Sequence, residues 1–289
     1  LPLNGVYEIV VNYENHLHTA VEQRTSIVVD HEKPVITLTP ATEKKVDNFH
    51  YTSQKDYALQ ISLNEDLYAH YFKNGEFAPV IKVTCTNKEY KFDNPTWTTD
   101  ETTGISTTTL PLPVDGIYEI SVNYKNYLHT ADEERISIVV DHEKPIITLT
   151  PDIDLVENNI YYTSKEGYGL QISLNEDLYD HYFANGGFEP EIAATRNGET
   201  YDYGTLEWTT EEGSGIRNTV LPLPLNGVYE IVVNYENHLH KAVEQRISIV
   251  VDHEKPVITL TPATEKEENN IHYTIRKDYA LQISLNEDL

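Results

Sequence analysis

One dozen residues is written three times. Val-Asp-His-Glu-Lys-Pro-Val-Ile-Thr-Leu-Thr-Pro begins at Val29, returns from Val140 with Ile146 in place of Val35, and returns from Val251 unaltered. Each copy lies 111 residues after the last. Other positions keep the same interval: Gly5, Gly116 and Gly227; Tyr7, Tyr118 and Tyr229; Trp97 and Trp208. Ser-Leu-Asn-Glu-Asp-Leu occupies 62–67, 173–178 and 284–289. A fixed period of this kind means one structural unit repeated along the chain. A single fold of 289 residues would have no reason to repeat itself so closely. The match is closest two units apart: residues 1–44 and 223–266 agree at 42 of 44 places, differing only at Thr19/Lys241 and Thr25/Ile247.

The repeated dozen is read as a joint. Ile-Ser-Ile-Val-Val (136–140) alternates before it, and Pro-Ile-Ile-Thr-Leu-Thr-Pro (145–151) comes after it. Proline cannot donate to a strand ladder, so Pro145 belongs at the first residue of a strand. Asp-His-Glu-Lys therefore crosses from one unit to the next. The crossing is short and lacks glycine, which predicts a stiff connection. The boundaries expected are a partial unit at 1–29, full units at 31–140 and 142–251, and a partial unit at 253–289. Residues 1–29 and 253–289 would be closing and opening strands, ordered only within a longer parent. The chain starts in mid-pattern at Leu1, has no Met, and reads as a window cut from something longer, with targeting and anchoring segments outside it.

Within a unit the apolar period is two. Leu59, Ile61 and Leu63 alternate with Gln60 and Ser62; Tyr118, Ile120, Val122 and Tyr124 alternate with Glu119, Ser121 and Asn123; Ile136, Ile138 and Val140 share one face. With 35–39, 78–86, 89–92 and 106–112, about seven short strands fall in each 111-residue repeat, separated by Gly, Pro, Asn and Asp. The only helical expectation is one turn within 64–72. Seven short strands with frequent turns predict an all-β unit, a tandem of immunoglobulin-like antiparallel β-sandwiches. Asp115-Gly116-Ile117-Tyr118-Glu119-Ile120 has the pattern of a tyrosine corner. Ile120 stands where antibody domains carry cysteine, and Cys85 is the only thiol, so no disulfide forms within the chain.

The unit resembles the bacterial Ig-like tandem repeats of large Gram-positive-type surface proteins and adhesins. The matching residues are Asp141, Pro145 and Ile147; Tyr161-Tyr162; Ile172 to Glu176; Trp208; and Asn226-Gly227-Val228-Tyr229 through Val233 to Tyr235. The resemblance covers both full units. It fails at the family's Ala-Gly-Asn turn, where this chain has Lys125–Ala131 and Glu236–Ala242. The resemblance implies an extracellular, cell-surface location and junctions that carry Ca²⁺ in some members of the class.

Acidic residues outnumber basic ones 47 to 21, a net charge of −26, which repels phosphate backbones and excludes nucleic acid as a partner. No run approaches the roughly 20 apolar residues of a membrane span. Candidate Ca²⁺ ligands are Asp30 and Glu32, Asp141 and Glu143, and Glu176 and Asp177, set against the simpler expectation of solvated carboxylates and no cofactor. Asp152 and Asp154 form no repeated ligand run, since Ala263 and Glu265 replace them in the next copy. His16 and His18, and His238 and His240, are spaced to share one strand face, as Zn²⁺ or Cu²⁺ requires, but Tyr127 interrupts the series. Tyr68, Tyr71 and Phe72, with Tyr179, Tyr182 and Phe183, are expected as core rather than as a sugar platform, and Trp97 and Trp208 likewise. No nucleophile, nucleotide or metalloprotease motif occurs, so no enzyme and no catalytic residue is expected. The reading is a stalk or filament shaft of a bacterial surface protein, its partners being neighbouring repeats and other copies of the filament. The alternatives are a repeated glycan- or host-protein-binding module and an Ig-like virion or phage-tail decoration.

Overall fold

A computed structural model of the chain describes residues 1–93, 95–211 and 214–286. The Glu-Asp-Leu ending the third Ser-Leu-Asn-Glu-Asp-Leu copy lies outside them. The chain divides into two units, Leu1–Glu143 and Lys144–Leu289.

The first unit opens with an antiparallel hairpin of β1 (Gly5–Val11) and β2 (Gln23–Val29). A sandwich comes next, built from β3 (Val35–Thr39), β4 (Lys44–Val46), β5 (Phe49–Thr52), β6 (Ala58–Asn64), α1 (Tyr68–Gly75), β7 (Val80–Cys85), β8 (Lys88–Glu89), β9 (Thr98–Thr99), β10 (Ile105–Pro111), β11 (Gly116–Asn123) and β12 (Glu134–Val140). One layer is four-stranded, in the order β3-β6-β10-β9; the other is six-stranded, in the order β4-β5-β12-β11-β7-β8. Every pairing is antiparallel except β5 with β12, where Ser137 faces Phe49 and Val140 faces Thr52 in parallel register.

Strand alternation fills the space between the layers. Leu59, Ile61 and Leu63 point inward from β6, and Tyr118, Ile120 and Val122 from β11, all essentially inaccessible, while Gln60 stays exposed. Each such aliphatic side chain removed from water stabilises the fold by roughly 1.5–3 kcal/mol. The tyrosine corner is present: the Tyr118 hydroxyl donates to the Val114 carbonyl at 2.8 Å, and Tyr229 repeats this with Leu225 at 2.9 Å. Gly116 precedes it with φ of 152°, and a Cβ there would lie 2.6 Å from Cys85 Sγ and 2.8 Å from Thr86 Oγ1. A side chain there would be strained and would have to push both neighbours aside.

Three features differ from the sequence reading. The 89–92 segment is not a full strand: pairing stops at β8, and Tyr90 turns onto the core, edge-on to Tyr118 at 5.3 Å. The Lys44–Thr52 stretch, not among the expected strands, folds into the β4–β5 hairpin, its turn closed by Asp47 at φ 51°. The single expected helical turn is the eight-residue α1, which packs Tyr68 and Tyr71 inward from one face.

The second unit repeats the plan. Its sandwich has four- and six-stranded layers in the same relative order, with Ile160–Thr163 parallel to Gln245–Val251. Beyond it, Val257–Thr261 pairs with Gln282–Asn286, and Lys266–Glu268 with Ile271–Tyr273.

Candidate functional site: the repeat joint

In the first unit the repeated dozen lies between the hairpin and the sandwich. Asp30, its second residue, turns its carboxylate into a pocket of the sandwich, leaving the side chain 3% exposed. The Tyr71 hydroxyl, on α1, donates to Asp30 Oδ2 at 2.7 Å. The Asn126 amide, from the turn after β11, donates to the same oxygen at 3.3 Å. His129, three residues further on, places Nε2 3.1 Å from the Asp30 carbonyl oxygen. A carbonyl only accepts, so this nitrogen carries the proton.

A second carboxylate shares the pocket. Glu65 comes directly after β6 and is 4% exposed. Its Oε2 accepts from the same Asn126 amide nitrogen at 2.8 Å, and its Oε1 accepts from the Leu67 amide at 3.1 Å. Burial pushes the Glu65 carboxyl above the ordinary range and the Asp30 charge adds to the rise, against the hydrogen bonds from Leu67 and Asn126. Burial and the bond to Asp30 also push the Tyr71 hydroxyl up, so it stays a donor.

Local sequence sets the aim of Asn126. Its Oδ1 accepts from the Leu128 and His129 amides at 2.8 and 2.7 Å, an Asx turn. That fixes which end of the amide faces the carboxylates. Asn237 is built identically in the second unit: Oδ1 takes Leu239 and His240, and Nδ2 reaches Glu176 Oε2 at 2.8 Å.

The joint's histidine ties backward. His31 meets Asn4 Oδ1 through its backbone amide and its Nδ1, both at 2.9 Å, and Asn4 belongs to the hairpin. His142 makes the same contacts with Asp115, and its Nε2 reaches the Gln54 carbonyl at 3.0 Å. His253 holds Asn226 and the Lys165 carbonyl, both at 3.0 Å. In the first joint, therefore, the sandwich grips Asp30 and the hairpin grips His31.

The sequence-predicted residues fall in different places. Asp30 is a joint residue, and Glu65 and Glu176 sit in equivalent pockets. Glu32, Glu143 and Asp177 are exposed, and Asp141 is buried with its amide on the Thr52 carbonyl at 3.0 Å. The atom between Asp30 and Glu65 is a proton-bearing nitrogen, the Asn126 amide, whose orientation the Asx turn fixes. Among the described residues, no group of three or more His, Cys, Asp or Glu is gathered as metal ligands. Asp154 accepts from the Ser164 amide and hydroxyl at 2.7 and 3.1 Å, and Asp152 pairs with Lys165.

His238 and His240 do not share a strand face. They lie in a tight turn closed by the Glu236–Lys241 bridge, with His238 edge-on to Phe188 at 4.7 Å. The Asx turn at Asn237 bends the chain where a strand would have run straight. Tyr68 and Tyr71 are buried as expected, but Phe72 and Phe183 are 52% and 47% exposed. Trp97 and Trp208 pack against the cores from their edges. Sequence reasoning missed Asn126, and noted His129 only as one of the histidines, with His18 and His240, that recur before the joint. Their signal was the invariance of Asn and His in all three copies of this turn around a variable His16/Tyr127/His238.

No family model and no curated protein matches the chain. Solved structures of tandem Ig domains do. The titin I-band fragment I67–I69 is 12% identical, covers 90% of this chain and 90% of its own, and gives a TM-score of 0.35. The Yersinia pseudotuberculosis adhesin InvE is 11% identical, with 75% and 58% covered and a TM-score of 0.36. Invasin, a bacterial integrin-binding protein, is 11% identical, with 99% and 54% covered and a TM-score of 0.39. This chain thus spans about half of the invasin structure. Scores of this size leave the fold to be argued from the sheets themselves. Those sheets define a class: tandem immunoglobulin-like β-sandwiches.

Proposed function

We propose that the chain is a spacer segment of a long extracellular array of Ig-like repeats, a stalk that carries something else away from a bacterial surface. The observation that supports this most is the joint. Asp30 is buried by the sandwich on one side and His31 is bonded to the hairpin on the other, so the connection is held at both ends. A freely jointed chain of binding modules has no need of such a grip. The repeated sequence of the joint fits a shaft in which each step repeats the last. The partners of the segment are then its own neighbouring repeats.

The test is solution scattering and electron microscopy of the intact chain, together with a glycan array. A rod whose length is unaffected by free glycans, with no glycan retained at micromolar concentration, is the expected result. Tight glycan binding lost on Phe72→Ala or Phe183→Ala would replace the spacer with a binding module.

A further inference from the structure

The pocket that receives Asp30 contains a carboxylate that nothing in a spacer requires. A buried acid facing another acid costs free energy in its charged form. Asp30 and Glu65 are bridged by one amide group, so neither has a cation to itself. Among the described residues, the charged groups acting on Glu65 are the acids Asp30 and Asp66. Asp66 lies on its own segment, and Tyr68 and Tyr71 come from α1. Tyr124 comes from the end of β11, its buried hydroxyl having no hydrogen-bond partner. His129 approaches Asp30 Oδ1 to 3.7 Å from the turn after β11. From the hairpin side the neutral Asn4 amide reaches this cluster, 3.4 Å from Asp66.

We propose that this joint is a proton-linked latch, in which docking of Asp30 beside Glu65 draws one proton onto Glu65, so the joint grips harder as the medium acidifies. This goes beyond the spacer reading and does not depend on it. The sign is set by linkage. Burial in the sandwich holds the Glu65 carboxyl above its ordinary range, and the docked Asp30 charge raises it further; with the joint released that charge is gone and the carboxyl is less raised. Between the two, the docked form holds a proton that the released form does not. Docking therefore strengthens as pH falls through the docked value and levels off below the released one. One proton limits the change in the docked-to-released ratio to about tenfold per pH unit. His129 also faces Asp30, so its part must be separated from that of Glu65.

The experiment uses the full chain with Cys85→Ser and single cysteines placed at Val21 on the hairpin side and Thr102 on the sandwich, each carrying one dye. Single-molecule energy transfer is read from pH 7.5 to 4.5. The expected result is a distribution that narrows as pH falls, with a slope of one proton or less. That slope should vanish in both Glu65→Gln and Asp30→Asn. Asp30 lies outside the sandwich core, so the second variant keeps its fold even if the first does not. A distribution indifferent to pH overturns the proposal. So does a Glu65→Gln chain that keeps the full dependence, which would assign it to His129. Narrowing on addition of Ca²⁺ at constant pH, reversed by EDTA, also overturns it and makes the joint a cation site.

Discussion

Single side chains carry the joint, and their removal should be measurable. Tyr71→Phe deletes one of the two side-chain donors to the Asp30 carboxylate while leaving the ring in the core. Leaving a buried charged acceptor short of a partner costs about 1–3 kcal/mol. Urea unfolding followed by the exposure of a probe on the hairpin should report that loss, while the sandwich midpoint moves less. Gly116→Ala meets both the Cys85 and Thr86 side chains and a φ of 152°, and should cost about 1–3 kcal/mol in the same measurement. At this scale the sequence was informative where a motif is local. The tyrosine corner needs only Tyr118 and the carbonyl four residues before it. The Asn126–Glu65 contact spans 61 residues, and no local pattern announces it. Asn126 looked like a turn residue, which it is; its second role exists only once α1 and β11 are brought together.

Strands with almost the same sequence differ in what covers them. β1 reads Gly-Val-Tyr-Glu-Ile-Val-Val and β11 begins Gly-Ile-Tyr-Glu-Ile-Ser-Val. In β11 the inward residues are essentially inaccessible, whereas Val11 in β1 is 59% exposed and Ile27 in β2 is 40% exposed. Amide hydrogen exchange should therefore be faster in β1 and β2 than in β11 and β12, despite matching ladders. Equal protection of the two pairs would contradict this. Period-two alternation made the long strands legible, because a half-buried strand writes its burial into every second residue. The β4–β5 hairpin escaped notice because Lys44, Lys45, Asn48 and His50 interrupt that alternation, and its stability comes from the parallel ladder with β12. Parallel pairing between segments almost 90 residues apart leaves no mark on either one.

For the whole molecule, acid acts in two opposing ways. Glu43, Asp154 and Glu265 occupy the same position in successive copies, and all three are held below the ordinary carboxylate range. Burial opposes this at Glu43 but is outweighed by bonds from Thr52 and Ser53. The Ser164 amide leads at Asp154, and Thr274 at Glu265. Their stabilisation is present above the ordinary values of 4.5 and 3.8 and is lost as pH falls through the depressed ones. Urea midpoints should therefore drop on strong acidification, and Asp154→Asn should flatten part of that drop, even as the latch tightens in the milder range. The charge of −26 adds a further expectation. Raising sodium chloride from about 0.01 to 0.15 M shortens the screening length severalfold and should raise the melting temperature. A fall would mean that attractive ion pairs outweigh the repulsion.

The parallel pairing of β5 with β12 also has a mechanical meaning. A chain pulled from its two ends drags β5 by its leading residue, once β3 has parted from β6 and β4 from β5, and drags β12 by its trailing residue. Strands that run the same way and are tugged from opposite ends must slide past each other, so the ladder from Phe49/Ser137 to Thr52/Val140 is loaded all at once and not bond by bond. Tension would reach this short clasp once the β3–β6 ladder and the buried Ile36 had given way, and its failure would free the rest of a repeat whose about 110 residues extend to roughly 360–400 Å.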